Sequence, residues 1–476
     1  MNAAHPVFAI VGRPNKGKSS IVATLAEDET VAISPDPGTT RHARGFKMRC
    51  DDRVLYELVD TPGFQRPRAV LAWLQAHERG ADERPQVVRE FLAQHADEKR
   101  LEDECELLRP IVNGAGILYV IDGAHPYGAE YEAEMEILRW TGQPRMALIN
   151  LIGPGEHIEE WRRALNQYFS IVRVFDAVRA DFGKRLELLR AFRELSEGHG
   201  GWGRALDDAV VALEADRAAR RRRVAEEIAD LLIDVLSVRE TAPVREESDQ
   251  EAIAAASMER LKSRIRKRER VSRDAVQDLY RHRALESDEP AFTLLAEDLF
   301  SARSFTVFGL STAQLAMTGA ATGAVAGGAI DLAVGGASLL IGAGVGAVLG
   351  GVGAVLGSNR LAKVQILGTP LGGLALSIGP ITAPNLPWAL LGRSLLHHRL
   401  VAERNHALRE ALVVDASASV HLTDTIDAAR RRRMTSAFKR IRDSGGLAAE
   451  QRIALIEEIE AAMIGGAGVT GDDLPT

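Results

Sequence analysis

The chain has 476 residues, 46% hydrophobic and 26% charged, the composition of a folded protein too long for one core, so two or three domains are expected. A net charge of −7 and a pI near 6.0 exclude a general electrostatic attraction to nucleic acid. The two cysteines, Cys50 and Cys105, exclude a disulfide framework or cysteine zinc site, and MNAAHPVFAIVGRP has no secretory leader, so a cytoplasmic location is expected.

Val7 to Val11 is a short apolar run ended by glycine, as in a buried parallel strand, and Ile21 to Leu25 opens a helix-compatible stretch. Further strands are expected at Val54 to Val59, Ile117 to Ile121, Met146 to Ile149 and Ile171 to Phe175, with helix-length polar segments between them. This alternation predicts an α/β fold, a mostly parallel sheet with helices on both faces. Ligands of such sheets bind at the carboxyl ends of the strands.

The unusual residues cluster at those ends. Gly12 to Ser19, GRPNKGKS, fits GxxxxGK[ST] between a strand and a helix. Its glycines let backbone N–H groups converge on phosphate oxygens, and the following helix adds the positive end of its dipole. Lys18 would reach the β- and γ-phosphates and Ser19 would ligate Mg²⁺. Gly12, Asn15, Lys16, Gly17, Lys18, Ser19 and Ser20 are thus candidate nucleotide-binding residues. Next along the chain, Pro37-Gly38-Thr39-Thr40-Arg41 offers a threonine hydroxyl that completes the Mg²⁺ shell only while a γ-phosphate is present, so hydrolysis would release the loop. Asp60-Thr61-Pro62-Gly63 then follows a strand directly. Its carboxylate suits water-mediated Mg²⁺ binding, and the Gly63 N–H suits a γ-phosphate.

Together GRPNxGKSS, PGTTRH and DTPG resemble the Era and TrmE group of bacterial GTPases over about residues 5 to 200. The resemblance implies a P-loop GTPase fold, bound GTP and Mg²⁺, and hydrolysis coupled to a conformational change. It assigns Lys18 and Ser19 to phosphate and Mg²⁺, Thr40 to the first switch, and Asp60 with Gly63 to the second. Where many GTPases carry a water-orienting glutamine after DTPG, this chain has Phe64, with the glutamine displaced to Gln65. Asn15 matches the asparagine that helps bind K⁺ in some relatives; the alternative is that it only shapes the turn. Slow intrinsic turnover, raised by K⁺ or a partner, is the expectation. The guanine-selecting NKxD is altered to Asn150-Leu151-Ile152-Gly153, keeping the asparagine and losing the aspartate. GTP is expected, with base selection weakened. Asp176-Ala177 stands in place of the usual Ser-Ala of the base loop.

Between Phe64 and Arg109 charged helical patterns at Ala69 to Glu78 and Asp97 to Arg109 are either a solvated insertion or a partner surface. Long charged helices follow at Ala205 to Val238 and Glu251 to His282. Basic clusters at Arg217 with Arg220 to Arg223, at Lys262 to Arg270, and at Arg430 to Arg433 read as solvated faces with i,i+4 partners, or as surfaces for anionic lipid or RNA. Residues 304 to 359 hold one charge, Asp331, and glycines four apart at Gly319, Gly323, Gly327 and at Gly342, Gly346, Gly350. Such spacing suits a close helical hairpin, in a membrane or inside a helical domain. Leu361 to Trp388 reads as irregular and apolar, and His397-His398 as helix surface.

The expected organisation is a GTPase domain over 1–200, charged helices over 201–300, a glycine-rich hairpin region over 301–400 and C-terminal helices over 401–476. The expected function is a GTP-hydrolysing switch acting on a protein effector, with a helical C-terminal part in contact with the inner membrane surface. Nucleic acid is a less favoured partner. An RNA or ribosome-assembly GTPase and a nucleotide-holding scaffold with little turnover are the rival readings.

Overall fold

The computed structural model describes residues 5–28, 30–31, 42–153, 155–195, 202–244, 250–282, 295, 297–310, 314, 355–356, 365–366, 369–370, 374–407, 423 and 425–465. The loop Pro37 to Arg41, with Thr40, lies outside them, as does most of the glycine-rich 304–359 segment. Chain contacts divide the protein into one unit of Met1–Ala218 with Glu403–Glu410 and another of Ala219–Ala402 with Ala411–Thr476.

The first unit is built on a six-stranded sheet of order β2-β3-β1-β4-β5-β6. Its strands are β1 (Val7–Val11), β2 (Arg44–Cys50), β3 (Arg53–Asp60), β4 (Gly116–Asp122), β5 (Arg145–Asn150) and β6 (Ile171–Phe175). All are parallel except β2, which pairs antiparallel with β3 at the edge. The five strands expected from apolar runs are present. The sixth, β2, was not expected, because RGFKMRC buries only Phe46 and Met48 and leaves basic residues outside, as befits an edge.

Because side chains alternate along a strand, each central strand serves two cores. Phe8, Ile10, Leu118, Val120, Met146 and Leu148 face one, with α1 (Lys18–Ala26), α7 (Phe182–Leu195) and the first turns of α8 (Trp202–Ser237). Ala9, Val11, Ile117, Tyr119, Ile121, Ala147 and Ile149 face the other, with α2 (Pro67–Ala76), α3 (Arg84–His95), α4 (Glu102–Val112), α5 (Glu132–Trp140) and α6 (Ile158–Leu165). The charged stretch after Phe64 therefore does more than sit in solvent: Val70, Leu74, Phe91, Leu107 and Leu108 are part of the core. Truncating a residue such as Leu118 to alanine would cost about 2–5 kcal/mol.

The second unit is mainly helical, with the rest of α8, then α9 (Gln250–Leu279) and the helices Leu386–Glu403, Ala428–Ser444 and Ala449–Gly465. The 361–388 stretch is more regular than expected: Leu374–Ile378 pairs antiparallel with Glu240–Val244 and with Val355–Leu356, and a helix starts at Leu386. The expectation that His397 and His398 lie on a helix surface is corrected. Both are buried, on a helix with apolar residues on every side. Gln277 Nε2 lies 3.4 Å from His397 Nε2, and Tyr280 Oη lies 3.0 Å from His398 Nε2. Beside them Arg393 is enclosed and donates to Glu269 (2.7 Å), Ser304 Oγ (3.1 Å) and the Leu295 carbonyl (2.8 Å). The basic clusters are paired mostly between elements: Arg221 and Arg222 with Glu460, Arg266 with Asp298, Arg268 with Glu227 and Asp234, and Arg430 and Arg433 with Glu458. Among the described residues no helix is long and apolar enough to cross a membrane.

Candidate functional site

The parallel register brings the polar strand ends to one edge of the sheet: Ile10 stands beside Asp60, Asp122 beside Asn150, and Asn150 beside Phe175. Gly12 to Gly17 make the turn from β1 into α1. Gly17 precedes the helix with φ +82°, and a Cβ there would lie 2.1 Å from Asn150 Nδ2, so only glycine serves both the turn and the approach. Asn15, also at positive φ (60°), is the exposed tip of the loop.

Lys18 is buried, and its Nζ donates to the Arg13 carbonyl at 3.0 Å, curling the loop over the start of α1. Burial lowers its ammonium to about 8, with Asp60 and Glu134 pulling the other way. Ser19 Oγ donates to Asp60 Oδ2 at 3.0 Å, and Ser20 follows half-buried in the first turn. Thr61 Oγ1 donates to the Ile10 carbonyl at 2.6 Å, pinning the DTPG turn to β1. Gly63 then lies against the loop: a Cβ on it would stand 2.5 Å from Pro14 Cδ and 2.7 Å from Pro14 N. Phe64 is buried in the core and Gln65 is exposed.

This edge therefore gathers Gly12, Asn15, Lys16, Gly17, Lys18, Ser19, Ser20, Asp60, Gly63 and Asn150. Thr40 lies outside the described residues. A helix N-terminus with a lysine ammonium beside it suits phosphate, and a hydroxyl against a carboxylate is a hard-oxygen pair suited to Mg²⁺.

Several supports had no signal in the sequence. Arg13 Nε donates to Glu134 Oε1 at 2.5 Å, its Nη2 to the Glu130 carbonyl at 3.0 Å, and its guanidinium lies 3.9 Å from the Tyr131 ring centre. Glu134 is fully buried and accepts a second bond from Tyr119 Oη at 2.9 Å. Burial raises its carboxyl pKa, with Arg13 and Tyr119 opposing. The phosphate loop is thus tied to α5. Helix α4 holds both flanking loops: Glu106 accepts from Ala43 N (3.1 Å), and buried Glu104 accepts from Gln65 N (2.9 Å) and Arg66 N (2.5 Å).

At the far end, Asn150 joins two loops. Its Nδ2 donates to the Lys16 carbonyl at 3.1 Å, and its Oδ1 accepts from Ala177 N at 3.1 Å. Asp176 turns back on its own loop, its Oδ1 accepting from Val178 N and Arg179 N, both at 2.9 Å. Ala180 N donates to the Asp176 carbonyl at 2.8 Å. Thr24 Oγ1 lies 2.6 Å from the Ala177 carbonyl and 2.6 Å from Asn405 Oδ1, its one proton serving one of them at a time. Asn405 Nδ2 donates to the Ala180 carbonyl at 3.1 Å. Asp122 is likewise engaged, with Lys16 Nζ at 3.4 Å, His125 Nδ1 at 2.7 Å and Ala124 N at 3.0 Å.

Comparison with known families returns two matches. The family described as 50S ribosome-binding GTPase matches residues 7–151, and that described as Domain of unknown function (DUF3482) matches 162–461, more than half of the chain. Curated relatives include GTPase Der of Aquifex aeolicus, 47% identical over 62 residues (13% of this chain, 14% of the relative). GTPase Era of Caldanaerobacter subterraneus subsp. tengcongensis is 25% identical over 185 residues (38% of this chain, 52% of the relative). The chain thus spans about half or less of the length of these relatives. Among solved structures, Era in complex with MgGDPNP and nucleotides 1506-1542 of 16S ribosomal RNA is 16% identical, with a TM-score of 0.28 over 58% of this chain and 89% of that one. An S. thermophilus NFeoB bound to GMPPNP is 16% identical with a TM-score of 0.27 over 57% and 91%. Overlap that low carries no argument. The fold rests on the sheet order, the phosphate loop and the family match at residues 7–151, which together make the N-terminal part a P-loop GTPase domain.

Proposed function

The chain belongs to the family of the domain of unknown function DUF3482, with a P-loop GTPase domain at its front, and we propose that it is a GTP-binding and GTP-hydrolysing switch. The observation that carries this reading is the meeting of Lys18, Ser19 and Asp60 at the carboxyl ends of β1 and β3, with Gly63 packed on the same loop. Lys18 and the N–H groups at the start of α1 would bind the phosphates, and Ser19, Asp60 and, in the loaded state, Thr40 would hold Mg²⁺. When bound, the cation neutralises charge on the phosphate oxygens. Gly63 senses the terminal phosphate through its N–H. Asn15, exposed at the loop tip, would help hold K⁺ near the phosphates.

Phe64 in the core offers no hydrogen bond to an attacking water, which supports slow turnover without K⁺ or a partner. The switch loops are anchored on α4 through Glu104 and Glu106, so α4 and α2 form the surface by which a protein effector reads nucleotide state. The domain division we propose for this mechanism keeps the catalytic parts within the first 200 residues and leaves the helical remainder as the responder.

Phosphate release from GTP with Mg²⁺ by the full chain, in KCl and in NaCl, tests this. Turnover that is lost in Lys18→Ala and faster in KCl is expected. Equal rates in the two salts would remove the K⁺ role, and no turnover even with K⁺ would leave a binding scaffold.

A further inference from the structure

Among the described residues the loop after β6 turns its polar groups on itself and Gly153 supplies no carboxylate, and we infer that the protein takes nucleoside triphosphates as a class, selected by phosphate and tolerant of the base. This rests on the phosphate site proposed above and concerns the substrate of that same site.

Selecting guanine over adenine takes a group that accepts from N1–H and the 2-amino group, and such a group must stand among those around the base. In the loop after β6, the N–H groups of Ala177, Val178 and Arg179 are taken by Asn150 and Asp176, and that of Ala180 by the Asp176 carbonyl. The carbonyls of Ala177 and Ala180 are engaged by Thr24 and Asn405. The Asn150 amide is fixed by one bond at each end, to the Lys16 carbonyl and from Ala177 N; its second Nδ2 hydrogen can meet only a ring nitrogen that adenine and guanine share, so it does not tell one purine from the other.

Reading the N1–H and 2-amino edge of guanine needs a carboxylate, and the position from which one would reach is Gly153. The carboxylates nearby are committed: Asp122 to Lys16, Ala124 N and His125, and Asp176 to its own loop. Glu156 is exposed further along. What the base end does offer is apolar: Ile152 is 54% exposed, and its Cδ1 would lie 3.6 Å from a Cβ on Gly17. An apolar surface packs on any base. The loop's closure owes one of its ties to Asn405, which lies within Glu403–Glu410, the C-terminal segment that belongs to the nucleotide unit. Residues 176–180 and 405 fall within the 162–461 match and Asn150 within the 7–151 match, so the base end straddles the two.

A pocket that hydrogen-bonds its base rejects an analogue lacking the partner group by roughly 10⁴ or more, whereas one that only packs on it discriminates by about 10–200-fold. Calorimetry on the full chain with Mg²⁺ and GTP, ATP, ITP or XTP is the test. Dissociation constants within about tenfold of one another are expected, all four lost together in Lys18→Ala. GTP preferred over ATP by more than about 10³-fold, with Lys18→Ala still abolishing binding, overturns the base tolerance and leaves the phosphate site standing. No binding of any of the four overturns the phosphate site, and the tolerance with it. Two variants locate the cause. Gly153→Asp, whose added Cβ meets Ala124 Cβ at 3.3 Å, restores a carboxylate and is expected to favour GTP by at least tenfold over ATP; an unchanged ratio overturns the assignment to this position. Glu156→Gln is expected to leave the ratios alone, and a selective loss of GTP there would show that Glu156 reads the base after all.

Discussion

At one end of the candidate site the polar groups are a cation and hard oxygens at the start of a helix, and at the other they are amides and carbonyls that close a loop. Lys18, Ser19 and Asp60 bond locally, but their charge and hard oxygens are what a triphosphate and its cation require. Asn150, Asp176, Thr24 and Asn405 make hydrogen bonds that close a loop. A group aimed at a ligand is preserved by a support behind it, here Glu134 behind Arg13 and Glu104 behind the DTPG turn. A group consumed inside a loop contributes stability and no recognition.

The sharpest way to break this comparison is Lys18→Ala. Removing a buried, charge-assisted partner of phosphate is expected to weaken nucleotide binding by about 100-fold or more, read by calorimetry, with the fold intact by circular dichroism. If affinity survives, the phosphate end is not where binding energy arises. Next in size is Glu134→Ala, which strands Arg13 and Tyr119 beside a buried void. It should cost about 3 kcal/mol in urea unfolding and weaken all nucleotides alike. A loss confined to one base would contradict the division of labour.

The third effect follows from the Lys18 ammonium, lowered by burial to about 8 in the free protein. Bound phosphates favour its charged form, so above pH 8 binding must draw a proton and affinity should fall by up to tenfold per pH unit. Calorimetry at pH 9 in two buffers of different ionisation heat should show uptake approaching one proton, and at pH 7 almost none. The smallest effect is at the base end: Asn405→Ala removes the tie to Ala180 and should cost about 1 kcal/mol of stability, changing the affinities of GTP and ATP by the same small factor. Unequal changes would mean the loop does read the base.

The second unit adds a contrast of its own. His397 is held down to about 3, first by burial and then by Arg273 and His398. An imidazole that stays neutral when folded and charges when unfolded gives stability that is present above its ordinary value near 6.5 and lost as pH falls toward 3. Melting temperature should therefore drop across pH 6.5 to 4 in the wild type, and less in His397→Gln.

The chain itself determined the five parallel strands, the helix after the first of them, and the phosphate loop with its DTPG partner. Each is a local pattern: a run of apolar residues, a glycine turn, a charged residue at a strand end. Only the tertiary structure decided that RGFKMRC closes the sheet edge, that Glu134 grips Arg13, that His397 and His398 are buried, and that Asn405 helps tie the base loop. Those outcomes depend on which distant groups meet in a dry interior. Polar side chains there are satisfied by partners more than a hundred residues away, and that pairing leaves no periodic trace along the chain.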